Sequence, residues 1–248
     1  MSGSGVSREP ALAGQTVVVI GGTSGIGLET ARQARSEGAN VVLTGRDSER
    51  LARAVRELGA LGSSAAFDAT DFERLERFFD ELPPVDHVMI TAGGPYYTRL
   101  ADMDFALARR NVDQEFWMPL YVARHAVGKV RAGGTLLLLG GVGGRRPSAS
   151  PLVAALTAAM PALTRTLALE LAPVRVNLIA PGFVDTPLSA SLLGAQLDAR
   201  REHLRATLPI RRVVGPADIA MLALHLMTNT AITGATYDID GGQQLVEG

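Results

Sequence analysis

The chain has 248 residues, with 24 Lys and Arg against 25 Asp and Glu, a formal charge of −1 and no cysteine. This length fits one large α/β domain, and the balanced charge lacks the basic footprint of a nucleic-acid or anionic-membrane partner. The absence of cysteine excludes disulfides, thiolate metal sites and a cysteine nucleophile. Small molecules are therefore the expected partners, and the cytoplasm is the expected compartment.

Residues 1–13 are expected to form a flexible tail, because residues 1–10 are rich in Gly and Ser and lack the apolar core of a signal peptide. Residues 14–248 are expected to form one domain. Uninterrupted apolar runs such as residues 136–139 are far shorter than the roughly 20 residues that span a bilayer. No membrane-spanning helix is expected.

Short β-branched or leucine-rich runs alternate with segments of helical periodicity along the chain. Runs that are apolar throughout are typical of a parallel sheet that helices cover on both faces. The pattern predicts an α/β fold, a Rossmann-type doubly wound parallel sheet of about seven strands. The predicted strands are residues 16–20, 41–44, 65–67, 88–91, 135–139, 174–179 and 236–239.

Several helices carry clear end signals. A helix over residues 49–58 follows Ser48 and ends at Gly59, Asp71 caps a helix over residues 72–82, and another runs from Pro216 to Met227. Lys129, the only lysine, is expected to stabilise by its charge the C-terminus of the helix before the fifth strand.

The first predicted strand ends in a glycine-rich turn, residues 21–27, before helix-forming sequence resumes at Leu28. Such a turn lets the backbone approach a pyrophosphate closely and directs the N–H groups and positive dipole end of the helix at it. The turn therefore favours dinucleotide binding. The alternative is a glycine-rich connection that binds nothing, since such a turn alone is a weak signal.

Further landmarks follow the turn in one order. They are Asp68, Ala92-Gly93, Asn111, residues 163–173, Arg175-Val176-Asn177, residues 181–187 and Asp240-Gly241-Gly242. Over residues 14–242 the chain resembles the short-chain dehydrogenase/reductase family. The resemblance implies a nicotinamide dinucleotide, oxidoreductase chemistry, and a homodimer or homotetramer built from helices around residues 113–131 and 152–171 and the segment 237–246. The alternative for the apolar stripe that begins at Leu152 is a place in the core.

The family turn reads Thr-Gly-x-x-x-Gly-x-Gly, with Gly21 here in the threonine place. By resemblance, Asp68 meets the adenine, and Val184 and Thr186 hold the nicotinamide amide. The alternative for Thr186 is a helix cap. Ile90 and Thr91 replace two family asparagines, which is expected to loosen strand contacts. The implied cofactor-binding residues are Gly21, Gly22, Thr23, Ser24, Gly25, Ile26, Gly27, Arg46, Asp68, Ala69, Ala92, Gly93, Pro181, Gly182, Val184 and Thr186.

The end of the second strand bears on the choice of cofactor. NAD-preferring relatives place there an acid for the ribose diol, and this chain has Gly45. The next residue, Arg46, is able to bind a 2′-phosphate through charge-assisted hydrogen bonds. NADP(H) is therefore favoured over NAD(H). The alternative is that Arg46 is a solvated loop cation paired with Asp47.

The catalytic residues of the family are largely missing. The family uses Tyr-x-x-x-Lys, in which the cation lowers a phenol pKa of about 10, together with a serine and an asparagine. By register, Val153 and Thr157 stand in the tyrosine and lysine positions, and Gly141 in the serine position. Only Asn111 remains, and its alternative is a helix kink or a backbone contact. Ordinary carbonyl reductase activity is therefore expected to be weak or absent.

Three functions stay open on the sequence. The first is an NADP(H)-binding protein that acts as a cofactor sensor or as the silent member of an assembly. The second is an oxidoreductase on a small carbonyl or enone, with Tyr96 or Tyr97 as a relocated proton donor or with none. The third is a scaffold without nucleotide. The alternative for the two tyrosines is a turn whose rings cover the pocket.

A pair of arginines and the four histidines are further candidates for ligand or metal binding. Arg145 and Arg146 either bind an acidic substrate or are solvated loop residues. The four histidines lack metal-ligand spacing and are expected at the core edge or the surface.

Overall fold

Seven parallel strands form one sheet in the order β3-β2-β1-β4-β5-β6-β7. A computed structural model describes residues 9–147 and 150–246. The order reverses between β1 and β4, which confirms the doubly wound parallel sheet. The strands are β1 (Thr16–Ile20), β2 (Asn40–Gly45), β3 (Gly62–Ala66), β4 (Val85–Ile90), β5 (Val130–Leu139), β6 (Arg175–Pro181) and β7 (Thr236–Ile239).

Helices cover both faces of the sheet. On β1, Val17 and Val19 point to the face that holds α1, α2 and α9, while Val18 and Ile20 point to the face that holds α3, α5 and α6. A π-helical turn, Asp113–Trp117, joins α4 to α5. The helices are α1 (Gly25–Ser36), α2 (Ser48–Leu58), α3 (Phe72–Glu81), α4 (Phe105–Val112), α5 (Met118–Ala126), α6 (Pro151–Glu170), α7 (Pro187–Leu193), α8 (Leu197–Thr207) and α9 (Pro216–Thr228).

Differences from the predicted boundaries lie where the local sequence signal is weak. Strand β3 begins at Gly62, three residues before the predicted start, because Gly-Ser-Ser carries no apolar signal and pairs with β2 through the backbone. Helix α2 is capped by Asp47, whose carboxylate accepts from the N–H groups of Glu49 and Arg50. Asp71 caps α3 as predicted.

The N-terminal segment joins the core earlier than predicted. Leu12 is fully buried, and its N–H donates to Glu37 O at 2.9 Å. The packed domain therefore includes Leu12, two residues before the predicted boundary at residue 14. Residues 1–8 of the predicted tail lie outside the described residues.

Lys129 stabilises a different helix from the one predicted. Its Nζ donates to Asp80 O at 2.8 Å and to Leu82 O at 3.0 Å. These carbonyls lie at the C-terminus of α3, and so the prediction that Lys129 acts on the helix before β5 was wrong. The charge still lies at the favourable end of a helix.

Helix α6 is the long apolar helix of the fold. It buries Val153, Met160, Thr164 and Leu167 against the sheet. By length and composition alone it is the one helix among the described residues that is able to cross a membrane. Pro161 and Arg165 interrupt the apolar sequence of α6, and so it contains no long uninterrupted apolar run.

Candidate active site

The glycine turn lies at the carboxyl edge of the sheet, between β1 and β4, and its packing requires glycine. A Cβ at Gly21, where φ is +93°, would lie 2.4 Å from Ala92 N. A Cβ at Gly27 would lie 2.4 Å from Thr91 Oγ1. The start of α1 therefore lies directly against the end of β4, and the positions of Gly21 and Gly27 leave no room for a side chain.

Thr91 holds this turn in place. Its hydroxyl lies 3.2 Å from both Ile20 O and Gly21 O, so it donates to the last residues of β1 and the first of the turn. The threonine hydroxyl thus supplies a contact between β1 and β4 at a position where the family has an asparagine.

The N-terminus of α1 is able to bind an anion. Ser24 precedes the helix in an extended conformation, and its side chain makes no capping hydrogen bond. The first N–H groups of a helix have no partner within the helix and carry the positive end of its dipole. A Cβ at Gly25 would lie 3.5 Å from Thr186 Cβ, which places the segment after β6 beside the turn.

The end of β2 has no room for an acidic side chain in the present packing. A Cβ at Gly45 would lie 2.5 Å from Thr23 Cγ2. Arg46 Nη1 lies 3.7 Å from Asp68 Oδ2, and so the proposed alternative pair with Asp47 was wrong. The Arg46 side chain is 73% exposed and remains accessible to a ligand.

The segment after β6 is ordered by its own hydrogen bonds. Thr186 Oγ1 accepts from Ser189 N–H at 3.1 Å, and Ser189 Oγ accepts from Thr186 N–H at 2.8 Å. Thr186 is thus the N-cap of α7, as its alternative reading predicted. Val184 is buried, and a Cβ at Gly182 would lie 2.7 Å from Asp240 Cβ, which explains the glycine after Pro181.

The structure brings together the positions that the resemblance assigns to catalysis, Gly141, Val153 and Thr157. A Cβ at Gly141 would lie 3.5 Å from Thr157 Cγ2, and one at Gly143 would lie 3.2 Å from Val153 Cγ1. Thr157 Oγ1 donates back to Val153 O at 2.7 Å within α6. Val153 is buried, and neither it nor Thr157 carries an ionisable group.

Asn111 binds the loop after β4. Its Nδ2 donates to Gly94 O at 2.8 Å, whereas its Oδ1 is buried and has no hydrogen-bond partner among the described residues. The π-helical turn begins two residues later. The backbone contact matches the alternative reading of Asn111, and the free Oδ1 leaves an acceptor for a water or a ligand.

The sequence analysis missed Glu115, which lies in the π-helical turn. Its Oε1 accepts from Gly94 N–H at 2.9 Å and would lie 2.7 Å from a Cβ at Gly93. Burial raises the pKa of Glu115 to about 7, although the hydrogen bond from Gly94 lowers it. In the sequence, Glu115 is marked as a candidate only by its position four residues after Asn111 and directly before Phe116 and Trp117.

The two tyrosines of the loop have different surroundings. Tyr96 Oη accepts from the N–H of Asp104, the N-cap of α4, at 3.1 Å. The Tyr97 side chain is exposed. Partial desolvation is the larger cause that raises its phenol pKa, and the Glu115 carboxylate is the second. Arg200 opposes this shift without reversing it.

The paired arginines and the histidines have structural partners. Arg145 forms a bidentate pair with Asp238, at 2.7 and 3.1 Å, and Arg146 donates to the carbonyls of Gln243 and Val246. Arg145 is therefore partly buried and paired, not solvated, whereas Arg146 is exposed, as the solvated alternative predicted. His87 lies in the core, not at its edge, between Thr135 and Gln15.

The described residues contain no group of three or more His, Cys, Asp and Glu that would hold a metal ion.

A glycine turn at the point where strand order reverses, with helices on both faces, defines a Rossmann-type protein. A family model described as enoyl-(acyl carrier protein) reductase matches residues 20–244. A solved short-chain dehydrogenase/reductase family protein is 32% identical, with a TM-score of 0.86, over 95% of this chain and all of its own. The chain therefore belongs to the short-chain dehydrogenase/reductase family.

Two curated relatives match over different lengths. The short-chain dehydrogenase/reductase ATR9 of Stachybotrys chlorohalonatus is 29% identical over 94% of this chain and 98% of its own. The short-chain dehydrogenase/reductase ucsE of an Acremonium species is 36% identical, and the match covers 64% of this chain and 61% of that protein.

A second solved structure, described as a small-chain dehydrogenase in complex with NADPH, is 32% identical. Its TM-score is 0.81, and the match covers 93% of this chain and 99% of that one.

Proposed function

We propose that this chain binds NADP(H) at the carboxyl edge of β1 and β4 and that its ordinary carbonyl reductase activity is weak or absent. The proposal rests on two features that lie side by side. The glycine turn that would bind a pyrophosphate is tightly packed, and the positions that the resemblance assigns to catalysis carry no ionisable group. Gly21 and Gly27 pack as such a turn requires, while Val153 and Thr157 lack a phenol and an ammonium.

The residues present fit the dinucleotide. The closely packed glycine turn from Gly21 to Gly27 and the N–H groups at the start of α1 suit a pyrophosphate. Asp68 and Ala69 would lie near the adenosine, and Ala92, Gly93 and the segment from Pro181 to Thr186 near the nicotinamide. When bound, the reduced dinucleotide supplies hydride. The NADPH complex of the 32% identical relative supports this assignment.

The preference for NADP(H) over NAD(H) is assigned to Arg46. Its exposed guanidinium follows Gly45, which lacks the acid that favours NAD(H), and a Cβ at Gly45 would meet the methyl group of Thr23. The pair of Arg46 with Asp68 is long and exposed, and so it costs little to exchange for a phosphate.

The experiment is a thermal-shift titration of Gly25→Asp against Gly25→Asn. Gly25 has φ +53°, a conformation that both Asp and Asn tolerate, and the two side chains have nearly the same size. Only Asp brings a negative charge to the start of α1. We expect NADPH to stabilise the Asn variant more than the Asp variant; equal responses would contradict pyrophosphate binding at this turn.

A second candidate function is an active NADP(H)-dependent oxidoreductase with a relocated proton donor. The observation that favours it is Glu115, a carboxyl group in contact with Gly93 and Gly94. If the site has no proton donor, the remaining functions are those of a cofactor sensor or of the silent member of an assembly. A protein that binds neither NADPH nor NADH at millimolar concentration would be a scaffold.

We also propose a homodimer or homotetramer that buries α5 and α6. Apolar side chains project from this side of the described structure: Trp117 is 47% exposed, Tyr121 37% and Leu169 82%. Most of α6 is apolar, yet only 28% of its most apolar stretch is buried within the chain. Multi-angle light scattering tests the proposal, and a monomeric mass at micromolar concentration would contradict it.

A further inference from the structure

One carboxyl group at the carboxyl edge of the sheet has no counterpart in the catalytic pattern of the family. Glu115 lies one turn after Asn111, within the π-helical turn Asp113–Trp117. π-Helical turns are rare and frequently occur at functional sites. The polar groups of this turn therefore merit a chemical explanation.

We propose that Glu115 is the proton donor of this site, in place of the tyrosine that Val153 replaces. The proposal rests on the dinucleotide binding proposed above and develops the second candidate function, an active oxidoreductase with a relocated proton donor. It names the residue that completes the reduction and the class of substrate, an uncharged ketone or enone.

The position of Glu115 is fixed by the loop that follows β4. Oε1 accepts from Gly94 N–H at 2.9 Å, and the same oxygen lies against Gly93. A second hydrogen bond, from Asn111 Nδ2 to Gly94 O at 2.8 Å, fixes the carbonyl group of Gly94. The carboxyl group is thus oriented before any ligand binds, as proton transfer requires.

The other carboxyl oxygen is available for a proton. Within residues 9–147 and 150–246, no hydrogen bond reaches Glu115 Oε2 and no ion pair includes this side chain. A carboxyl group with one oxygen anchored and one unbonded is able to present an O–H to a substrate. This arrangement suits a proton donor, because one oxygen fixes the carboxyl group and the other is left to face a substrate.

The loop that carries Gly94 also contacts the start of α6. Ser150 Oγ donates to Tyr96 O at 3.4 Å and accepts from Thr98 N–H at the same distance. Ser150 precedes Val153 by three residues, close to one helical turn. Glu115, Gly94 and the former tyrosine position therefore belong to one neighbourhood at this edge of the sheet.

Burial of Glu115 favours its protonated form. Desolvation raises its pKa to about 7, and the hydrogen bond from Gly94 N–H is the opposing contribution. Tyr97 is a titratable neighbour whose phenol pKa the Glu115 carboxylate raises, and Arg200 lowers that phenol pKa. An acid with this pKa is protonated in a substantial fraction of molecules at neutral pH, as general acid catalysis prefers.

The reaction balances with Glu115 as the acid. With the reduced dinucleotide bound, hydride would add to the electrophilic carbon, the π electron pair would move to oxygen, and the Glu115 O–H bond would break as that oxygen is protonated. The products are the reduced compound, the oxidised dinucleotide and the Glu115 carboxylate. Because this carboxylate would repel an anion, the group that is reduced should be uncharged.

Asn111 provides a route for reprotonation. Its buried Oδ1 has no partner among the described residues, and a buried acceptor without a hydrogen bond costs about 1–3 kcal/mol. A water that donates to Oδ1 would satisfy it one helical turn from Glu115. Such a water returns the proton from solvent to the carboxylate.

The experiment compares the wild-type protein with Glu115→Gln and Asp113→Asn. Glutamine keeps the acceptor for Gly94 N–H, and Asp113→Asn removes a charge from the same turn as a matched control. Infrared difference spectra of the ligand-free proteins report carboxyl protonation between pH 5 and 9. NADPH fluorescence reports binding, and single-turnover NADPH oxidation with neutral ketones and enones reports chemistry.

We expect a carboxyl band that titrates near pH 7 in the wild type and Asp113→Asn but is absent in Glu115→Gln. We expect NADPH affinity to stay within about twofold, while turnover by Glu115→Gln falls about 10²- to 10⁴-fold at pH 7. The wild-type rate should decline above pH 7 as the acid is lost.

The proposal is overturned if Glu115→Gln keeps the wild-type rate and pH profile, or if no carboxyl group titrates near pH 7. It is also overturned if the wild type binds NADPH but reduces no neutral ketone or enone. A wild type that binds no NADPH refutes the proposed function instead, and the infrared titration still shows whether Glu115 holds a proton.

Discussion

Asn111 and Glu115 bind the two polar groups of one residue, Gly94. The amide of Asn111 donates to Gly94 O at 2.8 Å, and the carboxyl group of Glu115 accepts from Gly94 N–H at 2.9 Å. The loop after β4 is thereby attached to α4 and to the π-helical turn at the edge of the sheet where a dinucleotide would lie.

Arg46 should determine the cofactor preference. Arg46→Ala removes the guanidinium that would bind a 2′-phosphate, and a charge-assisted hydrogen bond contributes about 1.5–3 kcal/mol. NADPH affinity should therefore fall about 10- to 100-fold while NADH affinity stays the same. Fluorescence titrations at two salt concentrations measure both, with exposed Arg53→Ala on α2 as the control. If Arg46→Ala weakened NADPH and NADH binding equally, Arg46 would not determine the cofactor preference.

The raised pKa of Glu115 should appear in the pH dependence of stability. Between pH 4.5, the ordinary value, and about 7, the folded state binds a proton that the unfolded state has lost, so stability falls as pH rises. The full effect is at most about 3 kcal/mol. Urea unfolding at pH 5 and 8 measures it.

Glu115→Gln should lose this pH dependence and should exceed the wild type in stability at pH 8. An Asp113→Asn control should keep the wild-type profile. A Glu115→Gln profile that parallels the wild type between pH 5 and 8 would show that the carboxyl group is ionised throughout.

His87 should give the opposite dependence. Burial lowers its pKa to about 4, so between pH 6.5 and 4 the unfolded state binds a proton that the folded state does not. Stability should therefore fall as the pH drops through this window, by up to about 3 kcal/mol. Unfolding of His87→Gln, which keeps hydrogen-bonding capacity toward Thr135 and Gln15, should show a flatter profile from pH 6.5 to 4. An unchanged slope would contradict this assignment.

Thr91 should stabilise the phosphate turn through its hydroxyl. Thr91→Val keeps the shape but leaves Ile20 O and Gly21 O without this donor, at a cost of about 1 kcal/mol or about 2–4 °C in Tm. Thr91→Ser should retain most of the stability. Calorimetry compares the two variants, and equal Tm values would show that the hydroxyl contributes nothing.

The sheet and the phosphate turn were predictable because their signals are local. An apolar run marks β1 and a short run with β-branched residues marks β7 at the observed residues, and Gly21 and Gly27 stand where a side chain has no room. Arg46 was also found from its position after a strand, although its partner, Asp68, was not.

The remaining features depend on contacts between distant segments. Arg145 was expected to be solvated because its partner, Asp238, lies 93 residues along the chain. Glu115 was overlooked because its burial depends on the loop at Gly93 and Gly94 folding back over the π-helical turn. Sequence spacing shows where an acid is, but the protein atoms that surround it set its pKa.

The central claim is that the chain binds the dinucleotide without the tyrosine and lysine of its family. Titration calorimetry of the unmodified protein with NADPH and NADH tests it most directly. We predict saturable binding of one NADPH per chain, tighter than that of NADH. Heat that does not saturate with either nucleotide at millimolar concentration would contradict the account.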